Sequence, residues 1–356
     1  MPNAERELLT PFGSCPVPNS RHDRIVLGHG SGGQMSADLL RRVFLPHFKS
    51  EVLHALEDQA TLSFPAGSRL AFTTDSYVVR PLFFPGGDIG RLAVHGTIND
   101  LAVGGATPLF LSAAFILEEG LPLADLERIA ASMRAACDEA GVSLVTGDTK
   151  VVERGKGDGV FITTAGIGAV PESVRLSIRN AKPGDRILLS GTIGDHGIAI
   201  MSVREGIDFE TVLQSDTAAL HELTRIMLEA CPTIRCMRDP TRGGLASALN
   251  ELAASSKVGV KIDERAIPLR PEVRAACEML GLDPLYVANE GKLIAVVPQD
   301  DVSRILDAMR SHPLGRDAAM IGQVVQNHPG MVTMRSIVGG ERVVMMLMGE
   351  QLPRIC

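Results

Sequence analysis

Apolar residues recur at helical spacing in five stretches, 35–48, 123–140, 198–205, 246–255 and 300–310, and each predicts a helix. A sixth helix, within 86–106, is built of small residues, carries Asn99 and Asp100, and stops at Gly104-Gly105. Shorter apolar runs predict strands at 70–75, 109–117, 160–170, 293–297, 322–325 and 331–336. Another strand starts at Val142 and runs into Gly147-Asp148-Thr149-Lys150, which places Asp75 and the Asp148/Lys150 pair at strand ends. The run 342–348 reads as a buried strand, after which 349–353 release the chain toward its last residue, Cys356. A composition shift with turn residues near 175–185 divides the chain. The expected organisation is a loose extension (1–24), an N-terminal domain (25–172), a C-terminal domain (173–348) and a mobile tail (349–356).

Composition narrows the class. The 356 residues are 45% hydrophobic, enough for two real cores. Tryptophan is absent, Tyr77 and Tyr286 are the two tyrosines, and the net charge is -7. Stacking platforms and a basic footprint for nucleic acid are therefore both missing. Six cysteines form no Cys-x-x-Cys pair, and no apolar run approaches the roughly 18 residues of a membrane span. The expectation is a soluble protein of the reducing cytoplasm, with no membrane partner.

Chemistry collects at a few places. Gly28-His29-Gly30-Ser31-Gly32-Gly33 precedes a helix, so its backbone N–H groups could wrap an anion, or it is a flexible turn. It has neither the Lys-Ser/Thr of a Walker A loop nor a dinucleotide fingerprint. Asp58, Asp75, Asp100 and Asp239 are separated acids in apolar or Gly-rich settings, the donor type that Mg²⁺ takes. Pro240 and Gly243-Gly244 precede a further helix, with Arg242 between them. Glu290, between Asn289 and Gly291, is either a turn acid or a general base. Cys356 combines a thiol and a carboxylate at the end of an arm.

Taken together, His29-Gly-Ser-Gly-Gly33, Glu57-Asp-Gln-Ala60, Thr74-Asp-Ser-Tyr77, Phe84-Pro-Gly-Gly87 and Thr146-Gly-Asp-Thr-Lys150 resemble the HypE hydrogenase maturation factors. Arg238-Asp-Pro-Thr-Arg-Gly-Gly244, Asn289-Glu-Gly291 and the terminal Pro353-Arg-Ile-Cys356 extend the resemblance to the last residue. More distantly the chain is similar to aminoimidazole ribonucleotide synthetase, selenophosphate synthetase and thiamine monophosphate kinase, which lack this tail. The resemblance implies a two-domain α+β, PurM-like fold. Its N-terminal mixed sheet would join that of a second copy in a dimeric β-barrel with helices outside. Its C-terminal half would be an α/β sandwich.

The same resemblance implies ATP and Mg²⁺ as cofactors, with Asp58, Asp75, Asp100 and Asp239 on the metal. Gly30, Ser31, Gly32, Gly33, Asn99, Gly147, Asp148 and Arg242 would meet ATP and its phosphates. Cys356, Glu290, Lys150 and His29 would be catalytic, although His29 serves equally well as a cap on its own loop. The carbamoyltransferase HypF would load Cys356, ATP-dependent dehydration would give a thiocyanate, and a HypC–HypD complex would accept the cyanide for the iron of a nickel-iron hydrogenase. A kinase or synthetase of a free small molecule would share the aspartates without needing Cys356. A scaffold without catalysis would keep the glycine loops and tolerate loss of the acids.

Overall fold

The computed structural model describes residues 22–206, 213–349, 352 and 354–356. Most of the 1–24 extension, and part of the tail, lie outside the described residues. The N-terminal domain opens with a turn of 3-10 helix at Leu27–Gly30, then α1 (Gln34–Leu39) and α2 (Glu51–His54). The helix expected over 35–48 is present but ends at Phe44, because α1 widens without a gap into a π turn at Leu40–Phe44. That turn buries Val43 and Phe44 and sets Phe44 against Phe115, with ring centroids 4.9 Å apart.

Strand β1 (Ser68–Tyr77) is followed by a small hairpin, β2 (Phe83–Phe84) and β3 (Gly87–Asp88), and by α3 (Ile89–Val103). Asp88 caps α3, accepting from the N–H groups of Gly90 and Arg91. The domain is completed by β4 (Thr107–Glu118), α4 (Leu123–Ala140), β5 (Ser143–Val152) and β6 (Val160–Pro171). The sheet order is β1-β6-β4-β5, antiparallel except for the β4/β5 pair.

Alternate residues face opposite sides of a strand. Leu111, Ala113, Phe115 and Leu117 are buried under the helices, whereas Leu70 (60% exposed), Phe72 (65%) and Ile116 (41%) stand on an open face. Asp75, Asp148 and Lys150 lie inside strands rather than at their ends. Polar open-face positions such as Thr74, Ser76 and Asp148 interrupt the apolar pattern, so both strands read as shorter than they are. The sheet is open within one chain; the four strands form no closed barrel.

The C-terminal domain contains β7 (Arg186–Leu189), α5 (Asp195–Glu205), α6 (His221–Ala230), β8 (Cys236–Arg238), α7 (Gly244–Ser256) and β9 (Gly259–Asp263). It continues through α8 (Pro271–Leu280), β10 (Ile294–Val297), α9 (Val302–Arg310), β11 (Ala319–Val325), β12 (Val332–Arg335) and β13 (Glu341–Val344). Its sheet runs β13-β12-β9-β11-β7-β10-β8. Ile187 and Leu189 pack with Leu245, Leu249 and Leu252 of α7, while Leu188 between them joins Leu223, Met227, Ile305 and Met309 of α6 and α9. The result is a sheet sandwiched between helices.

The buried strand expected at 342–348 is not there. β13 ends at Val344, its single buried residue, and Met345, Met346 and Met348 are 61%, 44% and 88% exposed. An edge strand has no neighbour on its outer side. Among the described residues no helix is long and apolar enough to cross a membrane.

Helix α3 joins the two domains, and nearly every residue in it is buried. Asn99, expected at phosphate, is fully used within the protein. Its Nδ2 donates to Ala218 O (3.0 Å) and Glu290 O (3.1 Å), and its Oδ1 accepts from Leu220 N–H (2.8 Å).

Candidate active site

The described end of the chain is docked, not free. Ile355 bridges Val79, two residues past the end of β1, and Arg80 N–H donates to Arg354 O (3.1 Å). The Arg204 guanidinium spans the carbonyls of Arg80 (2.7 Å) and Arg354 (2.8 Å), and Arg354 reaches Asp158 (2.9 Å). His196, at the start of α5, is fully buried and lies 2.7 Å from Ile355 O through Nε2. A carbonyl only accepts, so Nε2 carries the proton and Nδ1 accepts from the Ser215 hydroxyl (2.8 Å). Ile355 itself enters the N-terminal core, with Cys356 packed beside it.

This docking seats the Cys356 thiol against Glu290. Burial pushes the thiol well up from its ordinary value, then Glu290 adds to the shift, and Arg242 opposes it. Burial likewise raises Glu290, followed by the charges of Asp216, Asp239 and Asp75. Each partner therefore favours its neutral form when the thiol is unmodified. Glu290 is 3% exposed, and its Oε1 has no hydrogen-bond partner.

Three of the four aspartates expected at a metal act on one another. Asp239 is pushed up to about 7 by burial, then by Asp100, with Asp75 contributing. Burial also raises Asp100, against a hydrogen bond from Thr73 Oγ1 (2.8 Å). Asp75 and Asp100 raise Asp239, and Asp75 raises Asp100, so this half-buried group is short of positive charge and its donor set suits a cation. Among the described residues no three His, Cys, Asp or Glu side chains form a ready-made ion cage. Asp58 is exposed beyond α2 and is not among the acids acting on these groups.

The remaining candidates gather elsewhere. His29, Gly30, Gly32, Gly147, Asp148 and Lys150 line a cavity of about 420 Å³ whose apolar wall includes Phe44, Phe48, Leu53, Phe115 and Leu144. Lys150 Nζ is held by Asp148 at 2.7 and 2.8 Å. The pairing registers put Asp75, Thr164, Ala113 and Gly147 in one row across the sheet. Asp75 and Gly147 are thus three strand spacings apart, roughly 14 Å.

The glycine loop is tied to itself. Ser36 Oγ donates to His29 O (2.8 Å) and accepts from Gly32 N–H (2.9 Å), and Ser31 Oγ donates to Gly28 O (2.9 Å). At Gly30 any side chain would run into the Val151 backbone, whereas Gly33 faces open space. His29 Nδ1 accepts from Val26 N–H (3.0 Å), which is the geometry of a loop cap. Arg242 is exposed on the C-terminal side.

Sequence reasoning passed over Asp216, His196 and Arg204. Asp216 is buried, accepts from Glu290 N–H (3.0 Å) and pairs with Lys292 (3.1 Å). Burial would raise its pKa, but Lys292 and then His196 outweigh that and hold it low. It lies in an aperiodic stretch with no motif. His196 was visible in Gly194-Asp-His-Gly197, yet nothing in that pattern points to the chain terminus.

Residues 56–170 match the N-terminal domain, and 182–334 the C-terminal domain, of AIR synthase related proteins. Carbamoyl dehydratase HypE of Azotobacter vinelandii is 60% identical over 94% of this chain and 98% of its own length. Its namesake in Cupriavidus necator is 58% identical over 95% and 96%. A crystal structure of hydrogenase maturation protein HypE in complex with ATP superposes with a TM-score of 0.89 at 49% identity, covering 93% of this chain and 99% of that one. A HypE–HypF complex structure gives 0.76 at 48% identity, covering 88% and 100%. At these identities, over nearly the whole chain, the protein belongs to the HypE family of carbamoyl dehydratases, which acts in hydrogenase maturation.

Proposed function

We propose that this chain uses ATP to dehydrate an S-carboxamide on its own Cys356 to a thiocyanate, the source of a cyanide ligand for hydrogenase iron. The observation that carries this reading is the seat of Cys356, whose terminal thiol lies beside a buried glutamate that also feels the charges of Asp216, Asp239 and Asp75. A carrier thiol needs an arm, and a buried carboxylate beside it is a base available to whatever the thiol bears.

An amide oxygen is a poor leaving group. Attack of that oxygen on the γ-phosphoryl group of ATP expels ADP and, with one N–H proton passing to water, leaves the oxygen as a phosphate ester. Removal of the second N–H proton by Glu290 then forms the third C–N bond as the C–O bond breaks and phosphate departs. Burial makes Glu290 a stronger base once the neighbouring negative charge is balanced. Asp75, Asp100 and Asp239 would hold Mg²⁺ with water and phosphate oxygens completing its shell. Bound there, the ion would neutralise phosphate charge and ease ionisation of Glu290. The cavity beside Lys150 has nucleotide dimensions, with Lys150, Gly30, Gly32, Gly147 and Asp148 as its polar lining. Arg242 would meet phosphate from the other side. For His29 the loop cap is the better-supported role.

The open sheet face with Leu70, Phe72 and Ile116 suits a second copy of the chain, giving the expected homodimer. The structure of a HypE relative with HypF supports that carbamoyltransferase as donor. A HypC–HypD complex as acceptor, cytoplasmic location and Mg²⁺ complete the reading on the strength of family membership.

Intact mass after incubation with the carbamoyltransferase, carbamoyl phosphate and ATP tests the carrier role. A carbamoyl adduct of about 43 Da that falls to about 25 Da is expected on wild type and on no other species. An identical adduct on Cys356→Ala would refute it. A small-molecule kinase would run without Cys356.

A further inference from the structure

Two polar atoms near the docked thiol have no partner, Glu290 Oε1 and the Tyr77 hydroxyl. Tyr77 is the last residue of β1 and is 2% exposed. Its ring belongs to the same core cluster as Ile355 and Cys356. Tyr77 and Cys356 also act on the same two carboxyl groups, Glu290 and Asp75. The hydroxyl, set against Gly96 of α3, therefore lies close to the same carboxyl groups as the thiol.

The backbone around it has made room for that oxygen. Gly96 lies in the middle of α3, where glycine weakens a helix. A Cβ there would overlap the Tyr77 hydroxyl and its ring. The nearby hydroxyl of Thr97 is already engaged with Thr164 (2.5 Å), and Asp75 Oδ1 accepts from Ser76 N–H (2.9 Å). Phenylalanine would fill the same ring space without burying an unsatisfied hydroxyl, which is costly to leave unpaired. The glycine is there to admit the phenol oxygen, which has Thr97 and Asp75 as polar neighbours and which packing of the ring alone does not require.

A carboxamide on the Cys356 sulfur has one acceptor oxygen and an NH₂ donor group. The two unpartnered atoms offer the complement, an O–H donor on Tyr77 and an acceptor on Glu290. We propose that the Tyr77 hydroxyl is a catalytic hydrogen-bond donor to the carboxamide oxygen of modified Cys356, a role that rests on the S-carboxamide reading above. With Glu290 on the nitrogen and Tyr77 on the oxygen, rotation about the S–C bond is stopped and the amide plane is fixed. In the elimination the N–H proton goes to Glu290 and its bonding pair becomes the third C–N bond. The C–O pair leaves on phosphate. Tyr77 keeps its proton throughout and donates to the bridging oxygen as negative charge grows there.

The test is Tyr77→Phe in the full-length protein. Cys356 is first loaded by the carbamoyltransferase, ATP is then added, and the mass adduct is followed in a single turnover across ATP concentrations. Loading should be complete, the melting temperature equal or higher, and conversion at saturating ATP slower by about 10–100-fold. Conversion at the wild-type rate would overturn the proposal. So would a deficit that saturating ATP repairs, since the hydroxyl would then serve nucleotide binding. A fall in melting temperature together with the rate would overturn it too, assigning the hydroxyl to the fold. Wild-type protein that loads but never converts would instead sink the dehydration reading, whatever Tyr77 does.

Discussion

Ionising Asp239 is opposed by its surroundings, and the opposition has a measurable size. Its pKa of about 7, set by burial first and then Asp100, compares with 3.8 for an ordinary aspartate. The folded protein therefore binds more protons than the unfolded chain between those values. A carboxyl raised in this way contributes stability that is complete below the unfolded pKa and is lost as pH rises through the folded one. Asp239→Asn removes the charge, so cation-free protein should melt a few degrees higher than wild type at about pH 8. The gain should shrink toward about pH 4, where both forms are neutral. Thermal melts at the two pH values check this, and the same variant should lose dehydration. His29 makes the opposite point at the same scale. A polar side chain in a glycine loop looks chemical, but its Nδ1 is occupied by the Val26 N–H.

The docked tail is an element made almost entirely of borrowed contacts. Arg204 donates to the carbonyls of Arg80 and Arg354, His196 donates to that of Ile355, and Asp158 holds Arg354. Arg204→Ala should therefore shift the arm outward while leaving both cores intact. Maleimide labelling of Cys356, read on its own peptide, should accelerate about tenfold, because about 1.4 kcal/mol of lost docking corresponds to a factor of ten in population. Unchanged labelling would show that Ile355 in its core niche suffices alone.

What the sequence made legible follows the same division. Helix 123–140 was readable to the residue, since one face of it is core and the other solvent. The helix expected at 35–48 is there from Gln34 to Phe44, but its widening into a π turn leaves no mark in the apolar spacing. Met345 to Met348 look like core but lie beyond an edge strand, a matter of sheet order that no local pattern records. In the site, Asp75, Asp100 and Asp239 lie together while Asp58 stands apart, and Cys356 and Glu290, read from distant motifs, are neighbours in the fold. Asp216 and Arg204 matter through contacts 74 and 150 residues away, so periodicity carries no trace of them.

At the scale of the molecule, the candidate residues form two groups joined by one sheet. Glu290, Cys356 and the interacting aspartates lie where the domains meet, whereas Lys150 and the glycine loop sit at the β5 edge. The exposed face between them is where the proposed second copy would pack. Phe72→Asp puts a charge there without touching either core, since Phe72 is 65% exposed. Light scattering should find this variant monomeric, with a melting temperature close to that of the wild-type protomer; a dimer of unchanged mass would exclude this face. The seat of Cys356 has one more consequence. On the proposed reading the substrate is the catalyst's own last residue, never diluted and never competing for entry, so the dehydration step would be first order at every protein concentration. Such an enzyme has no Michaelis constant for the group it transforms. Its pace in a cell is set by how often partners load and unload the arm, and adding more of the protein lengthens the queue for those partners without shortening the chemistry.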